Sequence, residues 1–493
     1  MFITKFRATI LISTIATLMT SGNVSAASLI IIGSDGYTNT TSQHATQVEP
    51  DSFAWGSTIV AAVQTGRFYN GGSSNVNFAT STDGGATWGV QGGLPGVTKF
   101  SPSPSAYDRV SDPSVAFDAM HNVWLVGSLA LVESGSAVNG AGVLASRSTD
   151  GGLTWQLPVL VNQSNLGNID KDWVVCDNTV ASPHYGNCYV EWDDNGDGDR
   201  IYMSTSSDGG LTWGPRLKPA DSSTGLGGQP LVQPNGTVIV PAVNANETQI
   251  IAFQSNNGGA TWSTTTLVAN ISLHSVAGKL RSGPLPSAEI DAAGKVYVVW
   301  QDCRFRSHCR SNDIVMSTST DGTTWTAVTR IPIDATGSGV DHFIPGIAVD
   351  RTSSSATARL ALVYYFYPSS NCRASTCQLE VGYVSSVTGG ASWSTPTTLA
   401  GPMNLAWLPN TSQGRMVGDY MSASFVGANP YPVFVVAKPN SGTVFDQAMN
   451  TASGLTAVSS LGLQPTAQNG VADDLVLSTS SDRAPSAAAV TRR

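Results

Sequence analysis

The chain has 493 residues, of which 41% are hydrophobic and only 12% charged, and its formal net charge is −9. An acidic balance with so few basic residues excludes the electrostatic footprint of a nucleic-acid binder or of a protein docked on anionic lipid. The apolar share excludes a disordered chain, and 50 glycines among many Ser, Thr and Asn suit an all-β protein with many turns.

Residues 1–26 have the layout of a secretory signal. Lys5 and Arg7 make a basic start, Ala8–Met19 is an apolar run too short to span a bilayer, and Val24-Ser25-Ala26 puts small residues before Ala27. A secreted protein, extracellular or periplasmic, is expected, monomeric and without membrane insertion. Next comes Leu29–Gly33 (LIIIG), a strand with no partner nearby in the sequence.

From there to about residue 450 one unit recurs. A hairpin such as Pro113–Phe117 with Val123–Gly127, or Ser287–Ile290 with Val296–Trp300, leads to a third strand, a Ser-x-Asp-x-Gly-x-Thr-Trp turn and a short fourth strand. The turn is intact at Ser81–Trp88, Ser148–Trp155 and Ser206–Trp213. Ser255–Trp262 has Asn257 in place of the Asp, Ser319–Trp325 is one residue shorter, and Ser386–Trp393 keeps only the glycine, a hydroxyl and the Trp. Asp or Asn closes an Asx-turn, glycine supplies the positive φ, and Trp anchors the turn between sheets. Such a repeat predicts a β-propeller of four-stranded antiparallel blades. Six turns mark six blades, while Met416–Phe425, Pro432–Ala437 and Val444–Asn450 supply three further strands. Seven blades are therefore predicted, six being the alternative, with Leu29–Gly33 lent to the last blade to close the ring and remove its open edges. The domain layout is a signal over 1–26, a propeller over 27–450 and an Ala/Ser/Thr-rich tail over 451–493.

The six cysteines lie in three close pairs, which predicts the disulfides Cys176–Cys188, Cys303–Cys309 and Cys372–Cys377 in an oxidising compartment. No pair has C-x-x-C spacing, so zinc is poorly supported. Asp193, Asn195 and Asp197 match the first half of a calcium loop, but position twelve is Ser204, which excludes an EF-hand. A structural Ca²⁺ and a solvated acidic hairpin tip are equal readings there, and no other cofactor is required.

In a propeller the loops that open each first strand and close each second strand share one face, opposite the Asp-containing turns. That filter selects Arg67, Arg109, Asp112, Asp172, Trp173, Arg281, Glu289, His342, Arg415, Asp419 and Tyr420, with Glu49, Asp51, Asp170, Lys171 and Glu191 beside them. Asp172 next to Trp173 pairs an acid with an aromatic platform, as sugar chemistry asks. Glu289 lies in a strand among small residues and needs a partner. Asp112 before Pro113 serves equally well as a turn cap, and Asp419-Tyr420 equally well as a structural Tyr with its neighbour's cap. His342 reads as a ring-lining binder rather than a base.

The Asp-containing turns on an exported propeller resemble the sialidase (neuraminidase) superfamily and its BNR-repeat relatives, over essentially the whole mature chain to about residue 450. The resemblance implies a glycan or polysaccharide substrate and exo-acting glycoside hydrolysis. An arginine triad would hold a substrate carboxylate, a Tyr paired with Glu would be the nucleophile, and an Asp the acid/base. Carried over, these are Tyr420 with Arg415, Glu289, Arg281 and Arg109, and Asp172 or Asp112. The expected catalytic set is thus Asp172, Glu289, Tyr420 and Asp112. The expected substrate-binding set is Arg67, Arg109, Arg281, Arg415, His342, Trp173 and Asp419. A polysaccharide lyase using His342 or Tyr420 as base, or a non-catalytic carbohydrate-binding propeller, is the alternative.

Overall fold

The computed structural model describes residues 27–164, 168–459 and 466–467. The expected signal over 1–26 and most of the expected tail lie outside these residues. Among the described residues the fold is all-β, and helix is confined to 3₁₀ turns of three residues each. No helix there is long and apolar enough to cross a membrane.

The strands follow the predicted unit. Gln47–Trp55, Thr58–Arg67, Ser73–Ser81 and Val90–Gly93 pair antiparallel in that order, and Arg109–Asp118, Val123–Ser134, Ala137–Ser148 and Val159–Gln163 repeat the arrangement. Asp341–Val349, Leu360–Tyr367, Gln378–Ser386 and Thr397–Asn404 form another such sheet. The unit that starts at Ile169–Cys176 is less regular, since its fourth strand shrinks to an isolated bridge between Met203 and Leu217. In the last sheet Ser422–Val426, Asn429–Ala437 and Gln447–Ser453 are joined by the N-terminal strand Ser28–Ile31, which pairs with Gln447–Ser453 from Ser28↔Ser453 to Ile31↔Asn450. That third strand runs three residues further than the apolar pattern predicted. Beyond it Val458 donates its N–H to Ser385 Oγ at 3.0 Å, and Val387 donates to Ser459 Oγ at 2.8 Å.

Adjacent sheets are tied together by a repeated hydrogen bond between their first strands. Splayed strands cannot satisfy each other's backbone directly, so a side chain does it. Asp51 Oδ2 accepts from Val115 N at 2.7 Å, Ser114 Oγ from Val174 N at 3.1 Å, Gln229 Oε1 from Ala288 N at 2.8 Å and Ser287 Oγ from Ile347 N at 3.1 Å. The last sheet makes the same bond to the first, where Ser422 Oγ accepts from Ser52 N at 3.1 Å.

The Asp-containing turns are the second tie. Asp83 Oδ1 accepts from Thr87 N and Ser81 Oγ, both at 2.8 Å, while Thr87 Oγ1 donates to Oδ2 at 2.7 Å. In the most eroded copy a hydroxyl replaces the carboxylate: Thr388 Oγ1 accepts from Ser392 N at 2.8 Å. One glycine of each turn is pressed onto the preceding sheet. Gly152 has φ +80°, its carbonyl accepts from Thr80 Oγ1 at 2.6 Å, and a Cβ there would sit 2.6 Å from Val60 Cγ2. Gly152→Ala is therefore expected to cost about 1–3 kcal/mol in urea unfolding, combining left-handed strain with overpacking. A variant as stable as the parent would show that this turn does not hold the two sheets together.

All three predicted disulfides are formed. Cys176 and Cys188 face each other across an antiparallel pair, and Cys303–Cys309 and Cys372–Cys377 close short loops.

Candidate functional site

The first strand of several sheets opens with a register shift, a β-bulge. The shifts fall between Val48 and Asp51, Ser111 and Ser114, Asp170 and Trp173, and Phe343 and Pro345. At the same step of each bulge one residue takes the left-handed conformation: Glu49 (φ 55°), Asp112 (φ 48°), Lys171 (φ 45°) and Ile344 (φ 49°). Non-glycine residues held there store strain, and a bulge re-aims the side chain that it carries. In three of the four the side chain is ionisable, and all three meet.

Lys171 Nζ is the hub. It lies 3.0 Å from Asp112 Oδ1, 2.8 Å from Asp419 Oδ2 and 3.4 Å from Glu49 Oε1, and all four side chains are buried. Asp419 also receives both Nε (2.7 Å) and Nη2 of Arg281, and its backbone N–H donates to Glu49 Oε1 at 3.3 Å. Gly418 makes this approach possible: its φ is +148°, and a Cβ would sit 2.7 Å from Glu49 N. Gln64 Nε2 donates to Glu49 Oε2, and Gln64 Oε1 accepts from Arg67 Nη1 at 2.8 Å. Arg67 Nε has no hydrogen-bond partner. A pocket opens onto this cluster, with Glu49, Arg67, Asp112, Asp170 and Arg281 in its wall. A second cavity, of about 270 Å³, adjoins it across Asp170, Arg281 and Gln413.

The electrostatics separate the carboxyls. Burial works against the charge of Asp112, yet Lys171 holds it below the ordinary carboxylate value. Asp419 is buried too, but Arg281 and Lys171 together keep it lower still. Glu49 feels the same two cations, but there burial and the neighbouring carboxylates outweigh them. Burial, opposed by Lys171 and reinforced by Asp112 and Asp419, pushes it up to about 8. Asp170 is raised by burial and by the charge of Asp112. Burial opposes the charge of Lys171 as well, but Asp112, Asp419 and Glu49 hold its value well above that of a free lysine. Burial thus shifts Glu49 toward its protonated form while Lys171 shifts Asp112 toward its ionised form, the kind of separation that acid–base chemistry uses.

Of the expected site residues, Asp112, Asp419, Arg281 and Arg67 come together here. Tyr420 packs edge-on against Trp173 at 5.3 Å and lies 5.6 Å from Lys171 Nζ. Its hydroxyl donates to the Pro113 carbonyl at 3.1 Å, and burial, then the surrounding carboxylates, raises its pKa well above that of a free tyrosine. Asp172 turns instead toward Ser114 Oγ, at 3.5 Å, and toward Gly127, whose missing side chain leaves room for the carboxyl. Arg109 is spent on Glu133, Asn70 and the Gly71 carbonyl, each at 2.7 Å. Arg415 donates to the Leu408 carbonyl at 2.7 Å, and its own carbonyl accepts from Arg281 N at 2.8 Å, so its backbone positions Arg281. His342 is enclosed by Tyr364 and Phe366, and burial lowers it to about 4. His342 and the carboxylates Asp313 and Asp334 bring ligand atoms together, but Arg306 and Arg330 already bind those carboxylates. Glu289 lies toward the opposite face, 3.7 Å from Arg351. Asp193 is buried with Oδ1 unpartnered, whereas Asp197 accepts from Tyr202 OH at 2.6 Å and Asn195 opens the 3₁₀ turn between them.

Glu49, Asp170 and Lys171 were legible only as members of a polar set. The signal that marks two of the bulges is an acidic residue directly before proline at the start of a first strand, Glu49-Pro50 and Asp112-Pro113.

Comparison with known proteins agrees with the repeat. No curated protein matches the sequence significantly. Similar solved structures include a protein of unknown function from Dyadobacter fermentans, 17% identical, with TM-score 0.46 over 73% of this chain and 98% of that one. The endosialidase of phage phi92 is 11% identical, with TM-score 0.49 over 93% and 72%. A polysaccharide lyase, an ulvan lyase bound to -[GlcA(1-4)Rha3S]-, is 10% identical, with TM-score 0.47 over 85% and 94%. Residues 182–346 match the family described as a BNR repeat-like domain, so across this third of the chain the protein is BNR-repeat-like.

Proposed function

We propose that this protein is a sialidase-like glycoside hydrolase that removes a terminal acidic sugar from glycans. The observation that carries the reading is the pairing of Glu49 and Asp112 on one lysine, in a pocket whose wall also presents Arg67 and Arg281. Glu49, protonated near neutrality, donates its proton to the departing glycosidic oxygen. Asp112, kept ionised by Lys171, offsets the positive charge that develops on the sugar ring as the bond to the departing oxygen breaks and water adds in its place. Arg67, whose Nε has no partner, meets the sugar carboxylate, and Arg281, its Nε–Nη2 edge held by Asp419, adds its charge beside it. Tyr420, whose hydroxyl serves the Pro113 carbonyl, positions Asp112 through that neighbouring residue.

The same reading takes the strand groups as seven blades closed into a ring by Ser28–Ile31. It is supported by the Ser422–Ser52 bond and by the packing of Gly85, in the first Asp-containing turn, against Tyr431 of the last sheet. Three formed disulfides support export to an oxidising compartment.

The test is a screen of the purified protein against fluorogenic sialosides, glucuronides and neutral glycosides, alongside uronate polysaccharides followed by ultraviolet absorbance. Release of fluorophore from an acidic glycoside is expected. An unsaturated uronate product without fluorophore release would establish elimination instead, and no turnover on any substrate would overturn the enzyme reading.

A further inference from the structure

The opposite mouth of the same set of first strands carries a second pocket of different character. It lies at the turns after the first strands, on the side where the Asp-containing turns emerge. Phe53, Trp55, Phe425, Arg351 and Glu289 surround a cavity of about 300 Å³, with Ser424 and Thr352 beside them. Trp55 is 37% exposed, although its ring rests on Phe117 with centroids 5.4 Å apart. Arg351 stacks over the Phe53 ring at 4.4 Å and approaches Glu289 Oε2 at 3.7 Å, beyond hydrogen-bond length. That oxygen is shielded from bulk solvent and has no hydrogen-bond donor of its own.

We propose that this pocket binds a neutral pyranose ring, independently of the acidic-sugar site at the other mouth. A pyranose offers an apolar C–H face and an edge of hydroxyls. Trp55, Phe53 and Phe425 supply apolar surface for the first. Arg351 donates to the edge, and the partly exposed Glu289 carboxylate accepts a hydroxyl hydrogen. The two side chains offset each other's charge, so the pocket offers a sugar carboxylate no unpaired cation. This complementarity selects a neutral ring over a charged one. The site would hold a distant part of a glycan or a neighbouring chain while the other mouth acts on a terminus.

Saturation-transfer NMR with methyl β-D-galactopyranoside, methyl α-D-glucopyranoside and methyl α-D-mannopyranoside tests this directly. At least one of the three is expected to receive saturation, and Trp55→Ala and Arg351→Ala are each expected to weaken its binding about tenfold or more. Both variants should keep the parent's melting temperature and its turnover of acidic glycosides. Trp55 sits at a hairpin turn and Arg351 is partly exposed, so failure of one to fold leaves the other to decide. Transfer to none of the three, transfer unchanged in both variants, or binding of methyl glucuronide alone would each overturn the proposal. Loss of turnover in Glu49 or Asp112 variants bears only on the other mouth.

Discussion

Lys171→Met lowers the stability of the folded protein by about 3–5 kcal/mol, read as a shift of the urea unfolding curve near pH 7. The substitution keeps the length and much of the volume of the side chain but leaves Asp112, Asp419 and Glu49 buried without the ammonium that joins them. Arg281 still pairs with Asp419, so the unbalanced charge falls mainly on Asp112. The direction of the pH dependence follows. In the parent Lys171 holds Asp112 ionised; in the variant burial dominates and Asp112 takes up a proton. Acidification protonates the stranded carboxylate, so the deficit of the variant shrinks as pH falls from 7 toward 5. A variant that unfolds at the parent's urea concentration across this range would show that the cluster is solvated and that the buried hub does not exist.

Topology makes the cluster legible in the sequence, and depth along the strands does not. Alternating hydrophobicity and the Asp-containing turns determine which strand is first in each unit, and so which loops share a face. Asp112, Asp419, Arg67 and Arg281 follow from that. Alternation has period two, however, and says which side of a sheet a residue faces but not how far along the axis it lies. Glu289 sits far enough along its strand to belong to the opposite mouth, next to Arg351. Arg109 and His342 satisfy the same topological filter but are consumed by Glu133 and by the Tyr364–Phe366 layer, partners tens of residues away in sequence. Lys171 gave no local signal, because its role depends on a left-handed bulge that three separate strands share. The disulfides were legible because each closes a short loop, and the N-terminal strand because a strand with no neighbour must pair with a distant one.

Glu49→Gln abolishes most turnover while making stability less sensitive to pH, and the pair of effects separates catalysis from folding. As a general acid Glu49 contributes about 10²–10⁴-fold to the rate, so a loss of that size is expected on the best acidic glycoside found in the screen. The parent's activity should fall as pH rises through about 8, the value to which burial carries Glu49 against the opposing charge of Lys171. The stability effect has the same physical origin. A carboxyl raised from 4.5 to about 8 keeps its proton in the folded state while the unfolded chain has released it. Between those values the unfolded state binds fewer protons, so the contribution of Glu49 is fully present below about 4.5 and is lost as pH rises toward 8. Glutamine cannot lose that proton. The variant should therefore show a flatter decline in urea midpoint between pH 5 and 8 than the parent, whatever substrate the enzyme prefers. Asp112→Asn provides the control. Its carboxylate is held ionised, so the substitution should also cost turnover, but it removes a charge that stabilises Lys171 and leaves the ammonium with less compensation. Asp112→Asn is accordingly destabilising near pH 7, where Glu49→Gln, freed of the cost of holding a proton that the unfolded chain has released, is stabilising. If Glu49→Gln retains the parent's turnover and its pH profile, the proton donor lies elsewhere. If it loses turnover but keeps the parent's slope of stability against pH, Glu49 is already ionised in the resting protein and acts as a base instead.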